Sequence, residues 1–278
     1  VTAPTPPTPP TPPAPPAPPI ARYVEQVMGM PISLALRGKH THDTSARSTW
    51  NAVIDELREV DRIFSTYRPD SFISRLGRDE IGLADCAPEV SEVLELANQA
   101  VELSDGVFSV YLPDADGELI FDPSGVVKGW AVERAARRHL DHLADTDYCL
   151  SAGGDLIART LDPETAPWSI GIEDPLDPTR VVATVPLRTG AVATSGTAHR
   201  GTHIVGPRTG LPPYGIASVT VVGDSLAWTD IEATTAFAHG LHAVTWLRRR
   251  PGRTGLVVWS DGRTTLFDNT APHAVPLG

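Results

Sequence analysis

The sequence predicts an α+β fold. Stretches with helical periodicity come early, short apolar runs of strand length dominate later, and no regular βαβ alternation joins them. Ahead of both stands a low-complexity arm, residues 1–19, which holds eleven of the 27 prolines in the 278-residue chain. Proline fixes φ and removes amide donors, so the arm is expected to be a disordered, solvated polyproline II spacer. The folded unit is expected to occupy residues 20–278.

Within that unit, Tyr23 to Leu36 (YVEQVMGMPISLAL) predicts two short strands separated by a break at Met28-Gly29. A helix follows over Ser48 to Phe64, where Trp50, Ile54, Leu57, Asp61 and Phe64 share a stripe and four of the five are apolar. A second helix is predicted over Pro88 to Leu103, because Pro88 suits a first turn and Asp105-Gly106 suits a stop. A third runs from Gly129 to about Leu143. Strands are then expected at Tyr148 to Leu150, Trp168 to Ile172, Val181 to Leu187 and Val219 to Val222. A helix at Trp228 to His239 and a hairpin turning at Asp261-Gly262 complete the map. There is no internal repeat.

Composition narrows the function. Lys and Arg total 23 against 34 Asp and Glu, a formal charge of −11. General nucleic-acid binding needs a basic footprint, so that class is set aside. A small anionic ligand stays open, since backbone amides or a metal can hold phosphates locally. The two cysteines, Cys86 and Cys149, lack metal-ligand spacing and imply no disulfide framework. No apolar run is long enough to span a membrane, and no basic-then-apolar signal or lipobox is present, so the expected location is cytoplasmic. Walker A, GxGxxG, GxSxG and HExxH motifs are missing. His40-Thr41-His42-Asp43 reads as a solvated loop.

The informative segments are dispersed. His203-Ile204-Val205-Gly206-Pro207-Arg208-Thr209-Gly210 implies a tight loop holding a histidine and an arginine. Such a histidine is either a general base or a structural loop residue. In Asp230-Ile231-Glu232-Ala233-Thr234, a helix would put Asp230 and Thr234 on one face, as two hard oxygen ligands or as a helix-start Asp beside a packed Thr. Asp122-Pro123-Ser124-Gly125-Val126-Val127-Lys128-Gly129-Trp130 opens the third helix with an acid, a turn and a lysine, a plausible nucleotide-binding edge. Ser151-Ala152-Gly153-Gly154-Asp155 follows a strand, and its glycines let backbone approach a ligand.

In this order, with Met28-Gly29, Tyr67-Arg68-Pro69-Asp70-Ser71, Asp105-Gly106-Val107-Phe108, Lys128-Gly129-Trp130, Gly153-Gly154-Asp155 and Thr194-Ser195-Gly196, the segments resemble the ApbE family of FAD:protein FMN transferases. The resemblance covers nearly everything after the arm. It implies an ApbE-like fold of mixed sheets with packed helices. It further implies that Met28, Tyr67, Asp122, Lys128 and Ile204 contact FAD. The carbonyl of Gly125, with Asp230 and Thr234, would hold magnesium, and His203 would be the catalytic histidine. Two positions depart from the family pattern: Gly206 stands where Asp precedes Pro-Arg-Thr-Gly, and Ser109 follows Phe108 where an Asp is common.

The activity so implied is magnesium-dependent transfer of FMN from FAD to a Thr or Ser hydroxyl of an acceptor flavoprotein, with release of AMP. FAD is the substrate, Mg2+ the cofactor, and the acceptor protein the partner, with no nucleic acid and no membrane span. Alternatives are an FAD pyrophosphatase yielding FMN and AMP, a non-catalytic FAD-binding protein, and a scaffold whose proline arm recruits partners.

Overall fold

A computed structural model of the chain describes residues 20–113, 117–197 and 211–270. The arm at residues 1–19 and the segment that carries His203, Ile204 and Gly206 lie outside the described residues.

The first two strands are β1 (Ile20–Val27) and β2 (Met30–Gly38). They meet at a two-residue turn where Met28 and Gly29 both take positive φ, 55° and 71°. Helix α1 (Thr44–Phe64) begins four residues before the predicted Ser48. Its start is set by a cap: Asp43 Oδ1 accepts from the Ala46 amide at 2.9 Å, so polar residues invisible to periodicity extend the helix. The stripe itself is correct, with Trp50, Ile54, Leu57 and Phe64 buried. A short helix not foreseen, α2 (Phe72–Gly77), precedes α3 (Pro88–Leu103), whose bounds match the expectation. After the small ribbon β3 (Tyr111–Pro113) and β4 (Leu119–Phe121) comes α4 (Ser124–Ala135), continued by a π-helical turn at Ala136–Leu140.

Helix α4 therefore starts five residues ahead of the predicted Gly129, because Asp122 Oδ1 accepts from the Ser124 amide at 2.9 Å and opens the first turn. Lys128 is a residue of the second turn, not of the helix entrance.

The remaining elements are β5 (Thr146–Ala152), β6 (Asp155–Arg159), β7 (Trp168–Asp174), β8 (Asp177–Leu187), β9 (Thr189–Gly196), β10 (Ile216–Gly223), α5 (Leu226–Ala238), α6 (Ala243–Leu247), β11 (Thr254–Trp259) and β12 (Thr264–Asp268). Eight strands form one sheet in the order β1-β2-β5-β6-β9-β10-β11-β12, and every neighbouring pair is antiparallel. The α+β prediction holds. Strands β6 and β9 were not foreseen, and β9 carries the Thr194-Ser195-Gly196 segment.

Over its central strands the sheet is buried on both faces. Helices α1, α3, α4 and α5 cover one, through a core that includes Leu34, Leu57, Val93, Ala131, Val221 and Ile231. The β7–β8 hairpin covers the other, packing Trp168, Ile172 and Leu187 on Leu156, Val192, Leu256 and Val258. Burying both faces explains why these strands read as continuous apolar runs and not as alternation. Among the described residues no helix is long and apolar enough to cross a membrane.

Candidate functional site

The site forms where α4 packs on α5 at one end of the sheet. That contact depends on Gly129. A Cβ there would stand 2.8 Å from the Leu226 carbonyl oxygen and 3.0 Å from the Asp230 Cβ, so only glycine lets the helices approach this closely. One turn further along α4, the buried Glu133 carboxylate accepts from Ser225 Oγ at 2.7 Å and from the Ala227 amide at 2.9 Å. Glu133 thereby fixes the first turn of α5, while Ser225 Oγ caps it by accepting from the Trp228 amide.

The result is a buried charge cluster. Lys128 Nζ lies 3.3 Å from Asp230 Oδ1 and forms a close ion pair with Asp155 Oδ2. Asp155 is 2% and Asp230 3% exposed. Asp155 opens β6 directly after the Gly153-Gly154 turn, whose φ values of +57° and +101° require glycine-like freedom. Its other oxygen accepts from the Thr194 amide at 2.8 Å, tying the cluster to β9. One turn beyond Asp230, Thr234 Oγ1 lies 3.0 Å from Ser195 Oγ. Two carboxylates thus face one ammonium, and hydroxyls from α5 and β9 stand beside them.

These groups line a cleft of ≈ 320 Å³ that also takes in Gly125, Asp122 and Phe108. At Gly125 a Cβ would meet the Phe108 ring at 3.3 Å, so glycine keeps this wall open. Asp122 also lines a second, neighbouring groove of ≈ 750 Å³, whose wall includes Tyr67, Tyr111, Leu119 and Ile120. The Tyr67 side chain is 96% exposed, a presented aromatic surface rather than a packed one. Ser109, a departure from the family pattern, lines the cleft, with its hydroxyl donating to the Tyr111 carbonyl and accepting from the Tyr111 amide.

Of the residues predicted from sequence, Asp122, Gly125, Lys128, Asp230 and Thr234 come together in the cleft, and Tyr67 joins through the groove that shares Asp122. Met28 lines neither cavity. It sits half-buried at the β1–β2 turn, beside the strand whose Met30 packs on Gly153. His203 and Ile204 fall outside the described residues. The sequence reading missed Asp155 as the partner of Lys128, although the Gly153-Gly154-Asp155 segment was its signal.

The donor set can be judged for a metal. The cleft offers the Asp230 carboxylate, the Thr234 hydroxyl and backbone at Gly125, and neither Cys nor His is among its described lining residues. Among the described residues no group of three or more His, Cys, Asp and Glu gathers for a metal. A hard cation held by one or two carboxylates, with water and substrate phosphates completing its shell, fits such a set, and that is how magnesium binds.

The fold and cleft define an α+β protein with a carboxylate-, hydroxyl- and lysine-lined site at one end of an antiparallel sheet. The model of the ApbE family matches residues 28–115 and 110–257. The chain belongs to the ApbE family.

Among curated relatives, it is 28% identical over 162 residues to the FAD:protein FMN transferase of Escherichia coli strain K12, covering 55% of this chain and 46% of that protein. It is 32% identical over 133 residues to the Vibrio cholerae protein of the same name, covering 44% of this chain and 40% of that protein. The matched region thus spans about half the length of these relatives or less. Among solved structures, the Pseudomonas stutzeri flavinyl transferase ApbE aligns with a TM-score of 0.76 and 23% identity over 91% of this chain and 95% of that one. The ApbE protein of Thermotoga maritima aligns with a TM-score of 0.75 and 20% identity over 90% and 97% of the two chains. These two structures support the fold.

Proposed function

We propose that this chain is an FAD:protein FMN transferase, moving FMN from FAD to a Thr or Ser hydroxyl of an acceptor flavoprotein and releasing AMP. The observation that carries the reading is the convergence of Asp122, Gly125, Lys128, Asp230 and Thr234 on one cleft. The names of the curated relatives agree with it.

Asp230 and Thr234, with the Gly125 carbonyl, would hold magnesium, which would supply Lewis-acid neutralisation of charge on the phosphoryl oxygens. Lys128 adds a fixed ammonium against the same diphosphate, steadied by Asp155 from behind. Asp122, Tyr67, Met28 and Ile204 bind and orient FAD. His203 takes the proton from the acceptor hydroxyl. The acceptor oxygen bonds to the phosphorus on the FMN side, the bond from that phosphorus to the AMP phosphate breaks, and AMP leaves with the bridging oxygen.

The test is to incubate the chain with FAD, magnesium and an acceptor domain that an authentic transferase modifies, then take intact masses. An FMN-sized gain on the acceptor, lost with EDTA, is the expected result. AMP release without a gain would identify a pyrophosphatase, and neither product would leave a flavin binder.

A further inference from the structure

Tyr67 presents an almost fully exposed side chain at the groove, yet no contact of its own fixes it. Among the described residues its hydroxyl makes no hydrogen bond and its ring has no stacking partner. A ring placed in this way points only where its backbone aims it. The backbone in question is the loop from Ser65, which ends α1, to Ser71, which opens α2.

Ser71 lines neither cavity and is 1% exposed. Its Oγ donates to the Ser65 carbonyl at 2.8 Å and accepts from the Ser74 amide at 3.0 Å. One hydroxyl thus caps α2 and closes the loop onto the end of α1. The Ser71 amide donates to the Arg68 carbonyl at 3.2 Å, which makes Arg68 to Ser71 a β-turn directly after Tyr67. Pro69 stands at the second position of that turn, where its fixed φ is favoured. A second tether comes from Arg78: its Nη2 donates to the Pro69 carbonyl at 2.7 Å, and Glu80 holds the guanidinium. The pair between Arg68 and Asp70, at 3.3 Å, is exposed and adds little. Ile73, 1% exposed, seats α2 in the core and gives the brace a fixed base.

We propose that Ser71 is a positioning residue for Tyr67, seconded by Arg78, and that this brace holds the ring where the flavin of FAD stacks on it. The proposal rests on FAD being the substrate and Tyr67 one of its contacts. It gives the spacing in Tyr67-Arg68-Pro69-Asp70-Ser71 a physical reason: a hydroxyl four residues on, past a proline turn, folds this loop back onto α1. With the loop ordered beforehand, flavin binding does not carry the entropic cost of ordering it. Loss of the brace therefore weakens the flavin end and spares ADP, which has the adenylate and a diphosphate but no flavin.

The experiment titrates the full chain with FMN and, separately, with ADP in magnesium. FMN is read by its fluorescence, which a tyrosine stacked on the isoalloxazine quenches. The variants are Ser71→Ala, Ser71→Thr, Arg78→Ala, Tyr67→Ala and the double change of Ser71→Ala with Tyr67→Ala. Ser71→Ala is expected to weaken FMN about fivefold and to leave the bound flavin brighter, with ADP affinity unchanged. Ser71→Thr keeps the hydroxyl and restores both readings. In the Tyr67→Ala background Ser71→Ala adds nothing, because it acts only through the ring. Arg78→Ala leaves the cap of α2 in place, so it reports the same loss in smaller measure even where Ser71→Ala folds poorly. An additive loss in the double variant, an equal loss of ADP, or FMN binding unaltered in Ser71→Ala and Arg78→Ala would overturn the proposal. FMN whose affinity and brightness ignore Tyr67→Ala would instead sink the flavin role of Tyr67 on which the proposal stands.

Discussion

Strand β6 has a buried ion cluster at each end, and the two differ in kind. At its start, Asp155 holds Lys128, which also faces Asp230. Just past its end, Thr160 accepts from Arg37 Nη2 at 3.0 Å, while Arg37 Nε donates to Asp147 Oδ2 at 2.9 Å. The Arg37 guanidinium further donates to the Ala166 carbonyl and stacks on Trp168 at 4.2 Å. Asp147 in turn accepts from the Leu161 amide at 2.8 Å. This second cluster is balanced, one cation against one anion, with the Nε and Nη2 donors of Arg37 engaged. It joins β2, β5 and the lead-in to β7. The first cluster sets, among the described residues, two carboxylates against one ammonium, and it sits at a cleft. The second pair is built into the packing, whereas the first borders the cleft.

The comparison can be broken in several ways, starting with the largest effect. With the metal-ligand role proposed for Asp230, Asp230→Ala should lower FMN transfer by roughly 10³-fold, as read by acceptor mass against time. A variant that kept wild-type transfer would make the first cluster structural as well. Arg37→Leu should do the opposite. It leaves Asp147 buried without its cation and should destabilise the fold by about 3 kcal/mol in urea melts, with transfer per folded molecule unchanged.

Asp155→Asn keeps the bond from the Thr194 amide but loses the charge facing Lys128. Transfer should fall roughly tenfold, the scale of one charge-assisted hydrogen bond. In a Lys128→Ala background the same change should add nothing, since Asp155 acts through the lysine; an additive loss would contradict that role. The smallest effect concerns Cys149 on β5, whose thiol is pushed up to about 12 by burial, against a lesser pull from Arg37. It should resist iodoacetamide at pH 8 while Cys86 reacts, and Arg37→Leu should speed its alkylation by loosening the surrounding strands.

Much of the site was legible because its residues fall in ordered short motifs, so Lys128, Gly125, Asp230 and Thr234 could be named before any fold was known. The partnership of Lys128 with Asp155 was not legible, because it is made by the register of β6 and the close approach at Gly129. Strand β9 escaped for a different reason. Its sequence TGAVATSG is small and weakly apolar, and burial under helix and hairpin, not propensity, makes it a strand. The starts of α1 and α4 were misplaced by four and five residues because Asp43 and Asp122 set them through side-chain hydrogen bonds that leave no mark on apolar periodicity. Ser218, which lines the cleft, lay one residue outside the predicted strand Val219 to Val222, and nothing in the local sequence signals a hydroxyl left unsatisfied among the described residues.

The β7–β8 hairpin pairs only with itself among the described strands, and its second strand passes into β9 through the single residue Arg188. It is a cassette laid on a finished sheet, with both ends anchored on the same side. Exchanging it for the equivalent hairpin of a relative would change the roof of the cleft without disturbing α4, α5 or the residues they carry. The roof of the cleft and the helices that carry Lys128 and Asp230 thus lie on separate pieces of chain, and a chimera is the natural way to move one without the other.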